Sequence, residues 1–91
     1  MTIRVIISGR VQGVGYRAWT VRAASALGLA GWVRNRNDGS VEALFSGDPA
    51  RVQGMLEQCK TGPMLAKVDS VTSYTYEEPY TETGFVKKPT L

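Results

Sequence analysis

Apolar and polar residues alternate at the start of the chain: Ile3, Val5 and Ile7 fall on one side of Arg4 and Ser8, the period-two signature of a strand. Ile6 makes that strand apolar on both faces, which predicts an interior place in a sheet. Gly9, Gly13 and Gly15 interrupt the pattern, and the spacing then turns helical. Tyr16, Thr20, Ala23 with Ala24, and Leu27 define one face of a helix of about three turns, and Gly28 stands where a left-handed cap is wanted. Trp32 and Val33 lead into Arg34-Asn35-Arg36, Asn37-Asp38-Gly39 supplies turn chemistry, and Val41, Ala43 and Phe45 alternate with Glu42, Leu44 and Ser46. That pattern predicts a β-hairpin. Asp48-Pro49 starts a second helix, a capping carboxylate followed by proline, with Val52, Met55, Leu56 and Cys59 as its apolar stripe and Gly62-Pro63 as its end. Val68, Val71 and the alternation through Tyr74 and Tyr76 predict a further strand, the stretch 77–83 an exposed loop, and Phe85-Val86 a short last strand.

Two helices must cover a sheet face, so this order predicts an α+β, ferredoxin-like βαββαβ sandwich, its two helices packed on one face of an antiparallel sheet. Ninety-one residues, 43% hydrophobic and 21% charged, are enough for one core, and residues 1–91 read as a single domain. The apolar runs are too short for a membrane span and no secretory signal opens the sequence, so the expected location is cytoplasmic, without a membrane partner. One cysteine and no histidine leave no internal disulfide and no zinc or soft-metal site, so neither a metal nor a cofactor is expected. Cys59, on the stripe of the second helix, reads as a small buried hydrophobe with no histidine to activate it.

The net charge of +3 is unevenly placed. Up to Phe45 six arginines oppose two carboxylates, whereas beyond it five cations oppose six carboxylates. Arginine suits forked recognition of phosphate or carboxylate, although a charge of this size also serves as a solubilising surface.

The stretch Gly9-Arg10-Val11-Gln12-Gly13-Val14-Gly15-Tyr16-Arg17 joins a strand's end to a helix's start, where unpaired N–H groups and the helix dipole favour an anion. No Gly-Lys-Ser/Thr follows, so it is not a Walker A loop, and the glycine spacing is not a dinucleotide fingerprint. On spacing alone it fits equally a phosphate cradle and a tight turn beside a solvated arginine.

The same stretch closely resembles the signature of the acylphosphatase family, Gly-x-Val-Gln-Gly-Val-x-Phe-Arg. Two further blocks agree: Gly28-Leu29-Ala30-Gly31-Trp32-Val33-Arg34-Asn35 with Asp38-Gly39-Ser40-Val41-Glu42, and Gly62-Pro63-Met64-Leu65-Ala66-Lys67-Val68. The resemblance implies the ferredoxin-like fold and hydrolysis of an acyl phosphate to a carboxylate and inorganic phosphate. It puts the catalytic arginine at Arg17, the catalytic asparagine at Asn35, and the phosphate cradle on the backbone of Val11, Gln12, Gly13, Val14, Gly15 and Tyr16. The partners it implies are a small acyl phosphate and inorganic phosphate, bound by a monomer. Tyr16 departs from the family's common phenylalanine, and the tail Phe85-Val86-Lys87-Lys88-Pro89 lacks the usual alternation of a final strand.

The chemistry of the residues tolerates this reading. A phosphate ester must expel an alkoxide, which calls for a general acid or a metal, and the chain has no histidine. An acyl phosphate expels a carboxylate, which needs no proton at neutral pH. A loose phosphoryl-transfer transition state asks little of a base, so the Asn35 amide oxygen could position water. Without the resemblance, Asn35 would read as a polar residue where a strand enters a turn. Ser8 and Thr20 lack an activating base and read as polar caps, and Arg34 and Arg36, across the strand from Asn35, suggest a solvated or substrate-attracting edge. Trp32 and Phe45 would be the aromatics of an RNA-binding sheet, but the basic-aromatic strand signature is missing and no nucleic-acid partner is expected. The rival to the enzyme is a binding module that keeps the anion cradle without turnover.

Overall fold

The computed structural model describes residues 1–91. In chain order its elements are β1 (Thr2–Arg10), α1 (Tyr16–Ala26), β2 (Ala30–Asn35), β3 (Val41–Ser46), α2 (Pro49–Cys59), β4 (Lys67–Thr75) and β5 (Phe85–Lys87). The strands make one sheet in the order β4-β1-β3-β2-β5, with α1 packed over β2 and β5 and α2 over β1. This is the ferredoxin-like α+β arrangement, with one correction: β1 to β4 pair antiparallel, but β5 runs parallel to β2, so the sheet is mixed. The stretch 76–84 carries the chain from the edge at β4 to the far edge, where it enters alongside β2. The last strand pairs over three residues only, Gly31 to Val33 opposite Phe85 to Lys87. It is anchored by Phe85, whose ring stacks on Phe45 at 5.5 Å.

The period-two pattern sets what the helices cover. Ile3, Val5 and Ile7 of β1, Val41, Ala43 and Phe45 of β3, and Val33 of β2 face the helices, where they meet Ala24 of α1 and Val52, Met55 and Cys59 of α2. Each large side chain buried there contributes about 1.5–3 kcal/mol. Asp48 caps α2 as its sequence predicts, accepting from the Arg51 N–H.

No helix covers the opposite face, yet Glu42 and Leu44 on it are only 3% and 1% exposed. Long side chains lying flat provide the cover. The register aligns Tyr74, Arg4, Leu44 and Trp32 in one row across four strands, and Thr72, Ile6, Glu42 and Arg34 in the next. Arg4 Nε donates to Glu42 Oε2 at 2.6 Å and Arg34 Nε to Glu42 Oε1 at 2.8 Å. The Arg4 guanidinium also lies over the Tyr74 ring, and both Arg34 and Lys88 lie over Trp32. Burial pushes the Glu42 carboxyl up, but the two arginine hydrogen bonds outweigh it and hold the group below the usual carboxylate range. The reading of Arg34 as part of a substrate-attracting edge is thereby corrected: a carboxylate directly across the hairpin engages it.

Candidate functional site

The ladder between β1 and β4 shifts register between Ser8 and Gly9, and β1 ends at Arg10. Val11 turns into the core at 1% exposure and anchors the loop that follows. Gly13 and Gly15 both take positive φ, +74° and +81°, conformations open to glycine at little cost, and a Cβ at either would meet nothing within 4 Å, so the backbone conformation and not space asks for glycine. Gly15 is the N-cap of α1 and offers no side chain to the helix. None of the five N–H groups from Val11 to Gly15 donates to another group of the chain. The helical ladder begins only at the Trp19 N–H, bonded to the Gly15 carbonyl, so the first-turn amides of Tyr16, Arg17 and Ala18 lie outside it. Curled donors at a helix N-terminus favour an anion. Arg17 stands in that first turn, half-buried, with no ion pair and no side-chain hydrogen bond.

Asn35 ends β2 opposite Val41, which itself pairs with Ile7. Period-two geometry therefore puts the Asn35 side chain on the helix side of the sheet, at the end where β1 delivers the loop. Its Oδ1 is buried and has no hydrogen-bond partner in the chain. A buried acceptor left unpaired costs about 1–3 kcal/mol, which marks it as a place where capacity is held for something else. The turn after it is tightly knit. Arg36 N–H donates to the Ser40 carbonyl at 2.9 Å, Gly39 N–H to the Arg36 carbonyl at 3.2 Å, and Asp38 accepts from the Ser40 N–H and hydroxyl. The Ser40 hydroxyl, then its N–H, hold the Asp38 carboxyl below its usual range.

The loop and this hairpin are joined by Gln12. Its Nε2 donates to the Arg36 carbonyl at 2.7 Å and to the Ser40 carbonyl at 2.9 Å. The motif gives Gln12 a place in the cradle through its backbone N–H alone, and spacing gives no sign of the side chain's reach.

Tyr16 faces inward at 1% exposure and donates its hydroxyl to the Cys59 carbonyl at 2.7 Å, tying the first residue of α1 to the last of α2. Burial raises its phenol well above the ordinary value and pushes the Cys59 thiol up to about 12, so neither group ionises at neutral pH. Thr20 is no cap: its hydroxyl donates to the Tyr16 carbonyl within the helix. The six loop residues and Arg17 thus share one structure, linked through Gln12 to the hairpin that carries Asn35, while Cys59 lies beneath it as core.

Comparison with known proteins agrees with this architecture. The acylphosphatase family model matches residues 3–87. The chain is 54% identical over 90 residues to the acylphosphatase of Rhodospirillum rubrum, covering 99% of this chain and 98% of that one. It is 62% identical over 73 residues to that of Bradyrhizobium diazoefficiens, covering 80% and 74%. The crystal structure of acylphosphatase from Bacillus subtilis superposes with a TM-score of 0.92 at 36% identity, covering 96% and 97%. A loop of unpaired amides, a similar fold and extended sequence identity lead to one conclusion: this chain belongs to the acylphosphatase family.

Proposed function

We propose that, in the hydrolysis of acyl phosphates that defines this family, the amides of Val11, Gln12, Gly13, Val14, Gly15 and Tyr16 cradle the phosphoryl group, Arg17 grips two of its oxygens, and Asn35 orients the attacking water. The observation that carries the reading is the unspent hydrogen-bonding capacity concentrated there: five loop N–H groups and the Arg17 guanidinium as donors, Asn35 Oδ1 as the acceptor. Arg17 and the amides compensate charge on the phosphoryl oxygens as it develops in the transition state. Asn35 Oδ1 accepts from a water O–H and aims its oxygen at phosphorus, and the proton passes to the substrate's phosphate. The departing carboxylate leaves without one.

On this reading residues 1–91 work as a single domain, a monomer, because every group the mechanism uses comes from one chain. No helix is long and apolar enough to cross a membrane. A lone buried thiol suits the reducing cytoplasm, where we place the enzyme. No group of three or more His, Cys, Asp or Glu side chains converges to hold a metal ion, and the mechanism uses none.

The test is a leaving-group series. Benzoyl phosphate should turn over rapidly, p-nitrophenyl phosphate slowly and glycerol phosphate undetectably, with EDTA or magnesium changing little. Comparable rates for glycerol phosphate and benzoyl phosphate, or loss of activity on chelation, would mean an acid or a metal has been overlooked. Phosphate binding without turnover of any of the three would make the domain a binding module.

A further inference from the structure

We propose that Gln12 is a positioning residue: its side-chain amide holds the hairpin that carries Asn35 at a fixed distance from the phosphate cradle. The inference rests on the function proposed above and extends it to a residue that touches no reacting atom through its side chain.

Both amide hydrogens of Gln12 are committed, one to the Arg36 carbonyl and one to the Ser40 carbonyl. These carbonyls are the two feet of a single turn, already closed by the Arg36 N–H on the Ser40 carbonyl. One carboxamide therefore clamps both ends of the turn at once. They are the only hydrogen bonds between the loop 11–15 and the turn 36–40. The sheet does not substitute for them, because β1 and β3 pair no further than Ile7 opposite Val41, and from there to Arg10, where the loop begins, β1 pairs only with β4 on its other side. Asn35 immediately precedes Arg36, so the bond to the Arg36 carbonyl fixes the Arg36–Asn37 peptide, one unit beyond the water-orienting residue, and the Ser40 carbonyl that Gln12 also holds accepts from the N–H of the peptide joining Asn35 to Arg36.

Gln12 thus belongs to both halves of the site, its backbone N–H to the cradle and its side chain to the hairpin. The cradle has its own anchors in Val11 and Tyr16, both in the core. Loss of the side chain should leave phosphate binding in place and let Asn35 drift relative to phosphorus. Misplacement by about 1 Å costs about 10²-fold in rate when the reacting geometry is tight.

The experiment is a double-mutant cycle between Gln12 and Asn35, read as kcat and as the inhibition constant of inorganic phosphate. Gln12→Met keeps most of the bulk and removes both donors; Gln12→Ala removes the bulk as well. Either change should lower kcat by about 10- to 100-fold while phosphate inhibition shifts by less than about threefold. In an Asn35→Ala background the same changes should lower the residual kcat by less than about twofold, because nothing is left to position. A purely structural clamp would instead cut kcat by the same factor in both backgrounds, or weaken phosphate binding in step with kcat, and either result would overturn the inference alone. Wild-type turnover in Asn35→Ala itself would overturn the function on which the inference rests, and the inference with it.

Discussion

Two arginine-rich regions at different places on one sheet use the same side chain in opposite ways. On the open face Arg4 and Arg34 are engaged by the protein itself, each bonded to one oxygen of Glu42 and each lying over an aromatic ring. At the β1–α1 loop Arg17 makes no ion pair, the amides around it are unpaired, and the nearby acceptor Asn35 Oδ1 is also without a partner. Protein groups satisfied by one another stabilise the fold and offer little to a ligand. Groups held in place but unsatisfied cost stability and are available for chemistry. The residue type is the same, and the difference lies in whether the backbone puts a carboxylate across from it.

Variants of the two regions should therefore dissociate activity from stability. The largest effect is expected for Arg17→Gln, which should cut turnover by roughly 10²–10³ and weaken inhibition by phosphate with it, while changing unfolding free energy by less than about 0.5 kcal/mol. Benzoyl phosphate kinetics and urea denaturation of the same preparation check both halves. Glu42→Gln should do the reverse, costing about 1–2 kcal/mol of stability and leaving kcat within about twofold, since the two arginines lose their counter-charge but stay partly solvated. Because the folded state holds the Glu42 carboxyl below its unfolded value, its contribution is complete above the unfolded pKa of about 4.3 and is lost as pH falls through the lower folded value. Thermal unfolding between pH 6 and pH 3 should accordingly fall less steeply in Glu42→Gln than in the wild type. The smallest effect belongs to Tyr16→Phe, which removes the bond to the Cys59 carbonyl and should cost about 1 kcal/mol in urea with unchanged turnover.

The fold was legible where periodicity is strong. The alternation of Ile3, Val5 and Ile7 and the stripe Val52, Met55, Cys59 both mark the buried faces found in the structure. The direction of β5 was not legible, because three residues with one core side chain carry no pattern that distinguishes parallel from antiparallel pairing. The role of Arg34 was missed although a signal existed. A hairpin turning about Asp38 sets Arg34 opposite Glu42 by counting alone, and opposite charges at directly paired positions attract. For the proposed site, the loop residues, Arg17 and Asn35 could be named as candidates from motifs, but the bonds that join loop and hairpin could not. The bonds of Gln12 span 24 and 28 residues, and only the folded sheet brings those groups together.

The assignment of roles within the site is tested most directly by Asn35→Ala, with kcat for benzoyl phosphate and the inhibition constant for inorganic phosphate measured on the same sample. A residue that orients water acts in the transition state, so kcat should fall by about 10²-fold or more while phosphate affinity stays within about threefold of wild type. A parallel loss of turnover and phosphate affinity would contradict the account and make Asn35 part of the cradle.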